Sequence, residues 1–256
     1  MLGDVWRSLS DDRALAFHAM ERLKEFDVTG VRSHHRSKDG SVEAALMTLD
    51  LDLFSVALWL RSDGDHLTLQ SIYPFIRDGA LVECEIDSIL PSPDPVDGFI
   101  QAVGQGELFT FMDVLFGANR DGYREGGRMA VGLGGFMLHV RPFQQILDAM
   151  GSDRDKQHFL EQLDERGGVL ISPSPSAQQA PESYLYIGPI GPVGTAEVMG
   201  APVYRTSLSW SLGCPAPVAL PVVFGANTLT PSDWTPQEGQ WISAAVLLQG
   251  CEAQQI

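Results

Sequence analysis

Residues 62–90 have the sequence SDGDHLTLQSIYPFIRDGALVECEIDSIL, in which the turn residues Asp63-Gly64 and Asp78-Gly79 each precede an apolar run. An Asp-Gly pair between two such runs is the strongest short-range signal for a hairpin between antiparallel strands. Apolar and polar side chains alternate along much of both runs, as they do in a strand with one buried face. The stretch therefore predicts strands near residues 66–75 and 81–90.

The same pattern extends towards the N-terminus. A further Asp-Gly pair, Asp39-Gly40, separates apolar runs and predicts strands near residues 28–35, 42–49 and 54–61. Because these turns follow one another too closely for crossover helices, the five strands are expected to form an antiparallel meander. Ser10 followed by Asp11 and Asp12, with apolar residues at helical spacing, predicts an N-terminal helix packed on that meander. Residues 1–92 are thus expected to form a helix-on-meander unit.

Residues 99–171 are predicted to form a central β unit with two helices. Leu108–Phe111 is a short strand candidate, and the glycine-rich run Met129–Val140 predicts a pair of strands. Helices are expected over Phe143–Met150 and Asp153–Arg166, the second with Ser152 as its N-cap. The proline-rich stretch 172–181 predicts a linker before the last unit.

Residues 182–256 are predicted to form a small β unit that resembles a barrel. Its alternating runs are separated by Gly-Pro and proline-rich connections, and they cover Tyr184–Ile187, Val203–Trp210, Val218–Phe224 and Trp241–Leu248. The glycine turn before Trp241 feeds a long final strand, as in the closing hairpin of small five-stranded barrels. The predicted fold class is α+β, mainly antiparallel β.

Three segments of this last unit carry a resemblance to a known group of proteins. They are Glu182–Ile190, Leu220–Phe224 and Leu247–Gly250. Their pattern is similar to the C-terminal region of an uncharacterised family of bacterial proteins. The resemblance implies an OB-like barrel, that is, one of the oligonucleotide-binding type, and implies no activity, because a fold does not determine a function.

Composition and charge narrow the function classes. The chain has 256 residues, and 17 Lys and Arg against 33 Asp and Glu give a net charge of −16, which disfavours nucleic acid and anionic lipid as partners. Three dispersed cysteines and the lack of a long apolar segment predict a cytoplasmic protein without a membrane span. No GxSxG, phosphate-loop or HExxH motif occurs. We therefore expect a non-enzymatic protein, and we assign no cofactor, catalytic residue or metal ligand.

Acidic residues are concentrated in one part of the chain. Between residues 41 and 110, two basic residues stand against twelve acidic ones, a balance of 2 − 12 = −10. A period of two places Glu83, Glu85 and Asp87 on one strand face, and Asp50 and Asp52 alternate with leucines in the same way. Three interpretations are open: a solvated sheet face, a cation site if two strands converge, or a docking surface for a basic partner.

A second candidate region is the loop that follows Phe109. It combines acidic, basic, amide and phenolic side chains, and we predict a ligand-binding rim formed by Asp113, Asn119, Arg120, Tyr123 and Arg124. The alternative is that its aromatic side chains pack inward and its Arg and Asp residues pair locally.

The resulting functional hypothesis is an interaction protein that presents the acidic sheet face to a basic protein partner. The first alternative is a metal-dependent hydrolytic enzyme that uses the strand carboxylates. The second is single-stranded nucleic acid binding on an OB-like barrel, with Trp210, Trp234, Trp241 and Tyr204 as candidate stacking residues. The second alternative also needs a basic groove, which the sequence does not predict.

Overall fold

The computed structural model describes most of the chain after residue 30. The described residues are 6, 8–9, 31–36, 43–51, 53–62, 67–92, 98–104, 106–165, 170–173, 180–198, 200–210 and 217–252. Strands dominate these residues, and most strand pairs are antiparallel, as predicted. The predicted N-terminal helix after Ser10 lies outside the described residues.

The first sheet has four antiparallel strands in sequential order. They are β1 (Val31–Arg36), β2 (Glu43–Asp50), β3 (Ser55–Ser62) and β4 (Leu67–Phe75). The predicted strand positions and the antiparallel pairing of this meander are confirmed, while the turns predicted at Asp39-Gly40 and Asp63-Gly64 lie outside the described residues. Period-two alternation between close turn signals leaves little freedom in the pairing of consecutive strands.

The fifth predicted strand does not continue the meander. β5 (Ala80–Pro91) crosses into a second, ten-stranded sheet, so the expectation that it extends the first sheet is wrong. The crossing brings the chain into close contact with the strand that contains Gly132 and Gly134. A Cβ atom at Gly79 would lie 2.6 Å from the carbonyl carbon of Gly132, and a Cβ atom at Gly134 would lie 2.7 Å from Cβ of Ile76. These glycines let the chain pass across that strand instead of turning back along β4.

Five strands of the second sheet close into a barrel. They are β5, β6 (Gly98–Gly104), β7 (Glu107–Asp113), β8 (Arg128–Pro142) and β14 (Trp241–Glu252). Around the barrel the order is β5-β6-β7-β14-β8 and back to β5. All neighbours are antiparallel except β7 and β14, which are parallel. β14 therefore closes the barrel, as predicted for the last strand, but the prediction that residues 182–256 form the barrel is wrong, because its other four strands lie between residues 80 and 142.

β8 is one long strand, so the predicted strand pair over Met129–Val140 is wrong. Its glycines provide space instead of a turn: a Cβ atom at Gly135 would lie 2.8 Å from Cγ1 of Val246 on β14. A glycine in a strand marks either a bend or a close approach of another chain segment, and sequence alone does not distinguish the two.

β8 and β14 extend beyond the barrel and carry the remaining strands. β10 (Ser183–Pro189) pairs with β14, and β13 (Val218–Gly225) pairs with β8. The outer strands are β9 (Leu170–Pro173), β11 (Gly194–Val198) and β12 (Ala201–Trp210). A bridge between Ile190 and Leu208 links the end of β10 to β12, so a second ring shares β8 and β14 with the barrel. Residues 99–171 and 182–256, predicted as two units, thus contribute strands to one sheet.

The helices lie in the connections of the second sheet. α1 (Phe116–Asn119) follows β7, α2 (Phe143–Ala149) follows β8, and α3 (Asp153–Glu165) leads towards β9. The predicted cap of α3 is present, because the backbone N–H of Asp155 donates to Oγ of Ser152 at 3.2 Å. No helix in the described part of the chain is long and apolar enough to cross a membrane.

The main core fills the barrel and continues between the strands of the second ring. Phe109 of β7 contacts Trp210 of β12 with their ring centroids 5.7 Å apart. Both faces of the first sheet are covered as well: Trp59 belongs to a cluster with Phe99 of β6, and Val56 to one with Phe136 of β8. The barrel is therefore anchored on several sides, which gives its outer face a rigid support.

Candidate interaction surface on the barrel

β5 places the predicted acidic side chains on the outside of the barrel. Val82, Cys84 and Ile86 are buried, while Glu83 and Glu85 alternate with them and are exposed. The β5–β6 register shifts between Ile86 and Ser88, which places the third carboxylate, Asp87, in a bulge. Asp87 is exposed like Glu83 and Glu85, and these two form the regularly paired part of the acidic row.

The strands beside β5 add an apolar component to this surface. Glu85 lies opposite Arg128 of β8 and opposite Val103 of β6, and Val103 in turn lies opposite Leu108 of β7. Leu81 is 65% exposed, Leu108 56% and Val103 37%; these are three of the five exposed large hydrophobic residues in the described part of the chain. Exposed apolar side chains grouped on one face, unlike scattered ones, indicate an interaction site.

We call this surface the barrel face and define it by Leu81, Glu83, Glu85, Val103, Leu108 and Arg128. An open groove of about 530 Å³ follows β5 across it, lined by Glu83, Cys84, Glu85, Val103, Arg128, Met129 and Ala130. Nε of Arg128 lies 3.9 Å from Oε2 of Glu85, and both side chains are more than half exposed. Such a pair is screened by water and contributes little, so the carboxylates are available to a cationic group from outside.

Burial makes the thiol beneath the groove unreactive at neutral pH. Desolvation raises the pKa of Cys84 to about 11 from its ordinary value of 9.0. The thiolate is the nucleophilic form of cysteine, and at neutral pH Cys84 holds its proton. The groove therefore contains no activated thiol.

The raised pKa of Cys84 predicts a loss of stability in alkali. Above pH 9 the thiol ionises in the unfolded chain, while in the folded chain it stays protonated up to about pH 11. The unfolded state then binds fewer protons, so the free energy of unfolding falls with rising pH across this window. Urea denaturation between pH 8 and 11 should show a shallower decline for Cys84→Ala than for the unaltered protein. Equal slopes would contradict the assigned pKa.

Two predicted acidic residues stand apart from the groove. Asp50, at the end of β2, accepts a hydrogen bond from Oγ of Ser55 at 2.7 Å and pairs with Arg77 at 2.5 Å. Its charge is therefore compensated within the first sheet and the β4–β5 connection. Asp52 lies outside the described residues.

The predicted loop rim divides into a buried part and an exposed part. Asp113 is 1% exposed and accepts hydrogen bonds from the backbone N–H of Leu115 at 3.0 Å and from the Tyr123 hydroxyl at 2.6 Å. Asn119 is also buried, and its Nδ2 donates to the same hydroxyl at 3.2 Å. These residues hold the loop together instead of lining a rim, because a buried carboxylate needs such donors.

The exposed part of the predicted rim consists of its two arginines. Arg120 and Arg124 are exposed, and Nε of Arg120 lies 4.0 Å from Oδ1 of Asp121. The end of this loop runs beside β5, because Ile86 N–H donates to the Gly127 carbonyl at 2.8 Å and Gly126 N–H donates to the Ile86 carbonyl at 2.8 Å. The loop is thus joined to the acidic strand, a proximity that the sequence does not predict.

The candidate stacking residues do not form a platform. Trp210 is buried in the core, and Tyr204 stacks on Phe224. Trp241 is 36% exposed, and its ring contacts Phe143 of α2. Nor does the described part of the chain contain a group of three or more His, Cys, Asp or Glu side chains that could hold a metal ion.

Comparison with known proteins finds no match: no protein-family model, no curated protein and no solved structure is similar to this chain.

Proposed function

We propose that this protein is a non-enzymatic interaction protein of the cytoplasm that binds a basic protein partner through the barrel face. The observation that carries the proposal is that exposed Val103 and Leu108 lie beside exposed Glu85 across β5, β6 and β7, with exposed Glu83 and Leu81 further along the same side of β5. Carboxylates are expected on a sheet face that only contacts water, whereas large exposed apolar side chains are not. The combination is typical of a surface that a partner covers.

The barrel architecture supports the position of this surface. We infer that the barrel is of the OB type, because its strands occur in the order first-second-third-fifth-fourth and the third and fifth strands are parallel. OB-type barrels bind their ligands on the face of strands two and three. Here those strands are β6 and β7, which carry Val103 and Leu108.

Charge selects the class of partner. The net charge of −16 repels phosphate backbones, whereas it attracts a basic segment from a distance and raises the association rate. Arg128 is the one basic residue that lines the groove, next to two carboxylates. The arrangement therefore favours a cationic partner over nucleic acid.

The proposal predicts that charge reversal on the barrel face abolishes binding of a basic, apolar probe. We expect Glu83→Lys with Glu85→Lys to weaken binding of a fluorescent ten-residue peptide, made of lysine and leucine in equal numbers, by at least about tenfold. Two attractive charge contacts become repulsive in this variant. Fluorescence anisotropy at low and at physiological salt measures the change.

The matched control is Glu161→Lys with Glu238→Lys, two exposed positions on α3 and in the turn before β14. Both variants change the net charge by the same amount, so long-range attraction weakens equally in both. We expect the control to change affinity less than about twofold. An equal loss in the two variants would show that the probe senses overall charge, and the barrel face would then not be a binding site.

A further inference from the structure

We propose that the partner segment is extended and carries two basic side chains two residues apart, with an apolar side chain two residues beyond them. This inference rests on the proposed function and names the recognition pattern of the same surface. Leu81, Glu83 and Glu85 follow one another on the outward side of β5. The segment would place its apolar side chain on Leu81 and its two cations on Glu83 and Glu85.

The spacing follows from strand geometry. Residues two apart in a strand are separated by about 6.6–6.8 Å and point to the same side. A second extended chain lying along β5 has the same repeat, so its alternate side chains meet the three positions in register. In an extended chain, two adjacent basic residues point in opposite directions, and only one of them reaches a carboxylate.

The width of the groove favours an extended chain over a helix. The groove follows β5 between residues of β8 on one side and Val103 of β6 on the other. Neighbouring strands lie about 4.8 Å apart, so the two flanking strands are about 10 Å apart and their side chains narrow the space further. A helix with its side chains is about 10–12 Å wide and would rest on the rim without reaching the groove floor.

The electrostatic state of the two carboxylates fits this pattern. In the described part of the chain, Glu83 has no Lys or Arg partner within 4.0 Å, and Glu85 has the weak contact with Arg128. The acidic row is thus incompletely neutralised at both positions. Asp87 is exposed but lies in the bulge, outside the regularly paired part of the row, so we assign the two cations to Glu83 and Glu85.

Two peptides of identical composition test the pattern. One has the order Ser-Leu-Thr-Lys-Thr-Lys-Ser and the other Ser-Leu-Thr-Lys-Lys-Thr-Ser, each with blocked ends and a fluorescent label. We expect the alternating peptide to bind the full-length protein about fivefold more tightly at low salt. In Glu85→Gln the preference should disappear, because with the leucine on Leu81 each peptide then keeps one contact, that of its first lysine with Glu83, while the shape of the groove is kept.

The outcomes separate this inference from the function beneath it. If both peptides bind equally and both lose binding in Glu83→Lys with Glu85→Lys, the interaction surface stands and the spacing rule is overturned. Tighter binding of the adjacent-lysine peptide overturns the rule as well. If neither peptide binds the unaltered protein at millimolar concentration, the proposed function itself is overturned.

Discussion

Replacement of Gly250 by alanine is expected to lower the free energy of unfolding by about 1–3 kcal/mol, since overpacking of a dense core has this cost. Gly250 lies on β14 where the barrel closes, opposite Asp113 of β7 and Leu133 of β8. A Cβ atom there would lie 2.6 Å from the ring of Phe111 and 2.7 Å from Cγ2 of Val131. Both neighbours are fully buried and have no free space to move into.

Gly151→Ala is the matched control, because a Cβ atom there meets no other atom within 4 Å. We expect the control to change the free energy of unfolding by less than about 0.5 kcal/mol. Urea denaturation measures both variants. A Gly250→Ala protein as stable as the control would show that β14 does not close the barrel against Phe111.

A double variant connects the effect to the named contact. Phe111→Leu replaces the ring that the new methyl group would meet. The loss in Gly250→Ala with Phe111→Leu should therefore be smaller than the sum of the two single losses, with a coupling of about 0.5–3 kcal/mol. Additive losses would mean that the strain lies elsewhere in the barrel.

The local part of the fold is predictable from the sequence. Alternation bounded by turn residues locates β1 to β4 and β12 to β14 within a few residues, because both signals act between near neighbours. The sequence does not predict β11: Gly194–Val198 is a short edge strand that begins with glycine, and most of its residues are exposed. An edge strand with few buried positions leaves little apolar pattern to detect.

The pairing between distant strands is not predictable in the same way. An Asp-Gly pair predicts a turn but not which strand the chain meets next, and after Asp78-Gly79 the chain meets β8 some fifty residues later. The contact depends on the small size of Gly79 and Gly134, whose role is visible only once Gly132 and Ile76 lie against them. Such glycines have no periodic signature.

In the candidate surface, too, the local features are predictable from the sequence and the contacts between distant strands are not. The alternation of Glu83 and Glu85 follows from the period of β5, whereas the exposure of Val103 and Leu108 depends on how β6 and β7 curve around the barrel. The sequence of the loop after Phe109 misleads about side-chain exposure for a related reason. The sequence predicts Asp113 in an exposed rim, whereas its burial becomes clear only from its contact with Tyr123, ten residues away.

A second large effect is expected from Tyr184→Phe, which removes a hydroxyl group from the seam of the barrel. The Thr110 N–H donates to this hydroxyl at 2.6 Å, and the hydroxyl donates to the Thr110 carbonyl at 3.2 Å. The residue pairs between β7 and β14 are Met112 with Gln249 and Asp113 with Gly250. Thr110 lies outside these pairs, and there the Tyr184 hydroxyl takes the place of a backbone hydrogen-bond partner on β14. Burial raises the pKa of Tyr184 above its ordinary value of 10.0, so the hydroxyl, which is protonated at neutral pH, remains a donor to higher pH.

Without the hydroxyl, the N–H and carbonyl groups of Thr110 are buried and lose this partner, a change that costs about 1–3 kcal/mol. Tyr204→Phe is the control, because Tyr204 stacks on Phe224 through its ring and its hydroxyl makes no hydrogen bond within the described part of the chain. We expect Tyr184→Phe to lower the free energy of unfolding and to speed amide hydrogen exchange at Thr110, and Tyr204→Phe to do neither. Unchanged exchange at Thr110 would show that the Tyr184 ring packs between the strands without a stabilising hydrogen bond to the Thr110 backbone. A local increase in exchange would establish that one side chain completes the ladder where two strands of the barrel diverge.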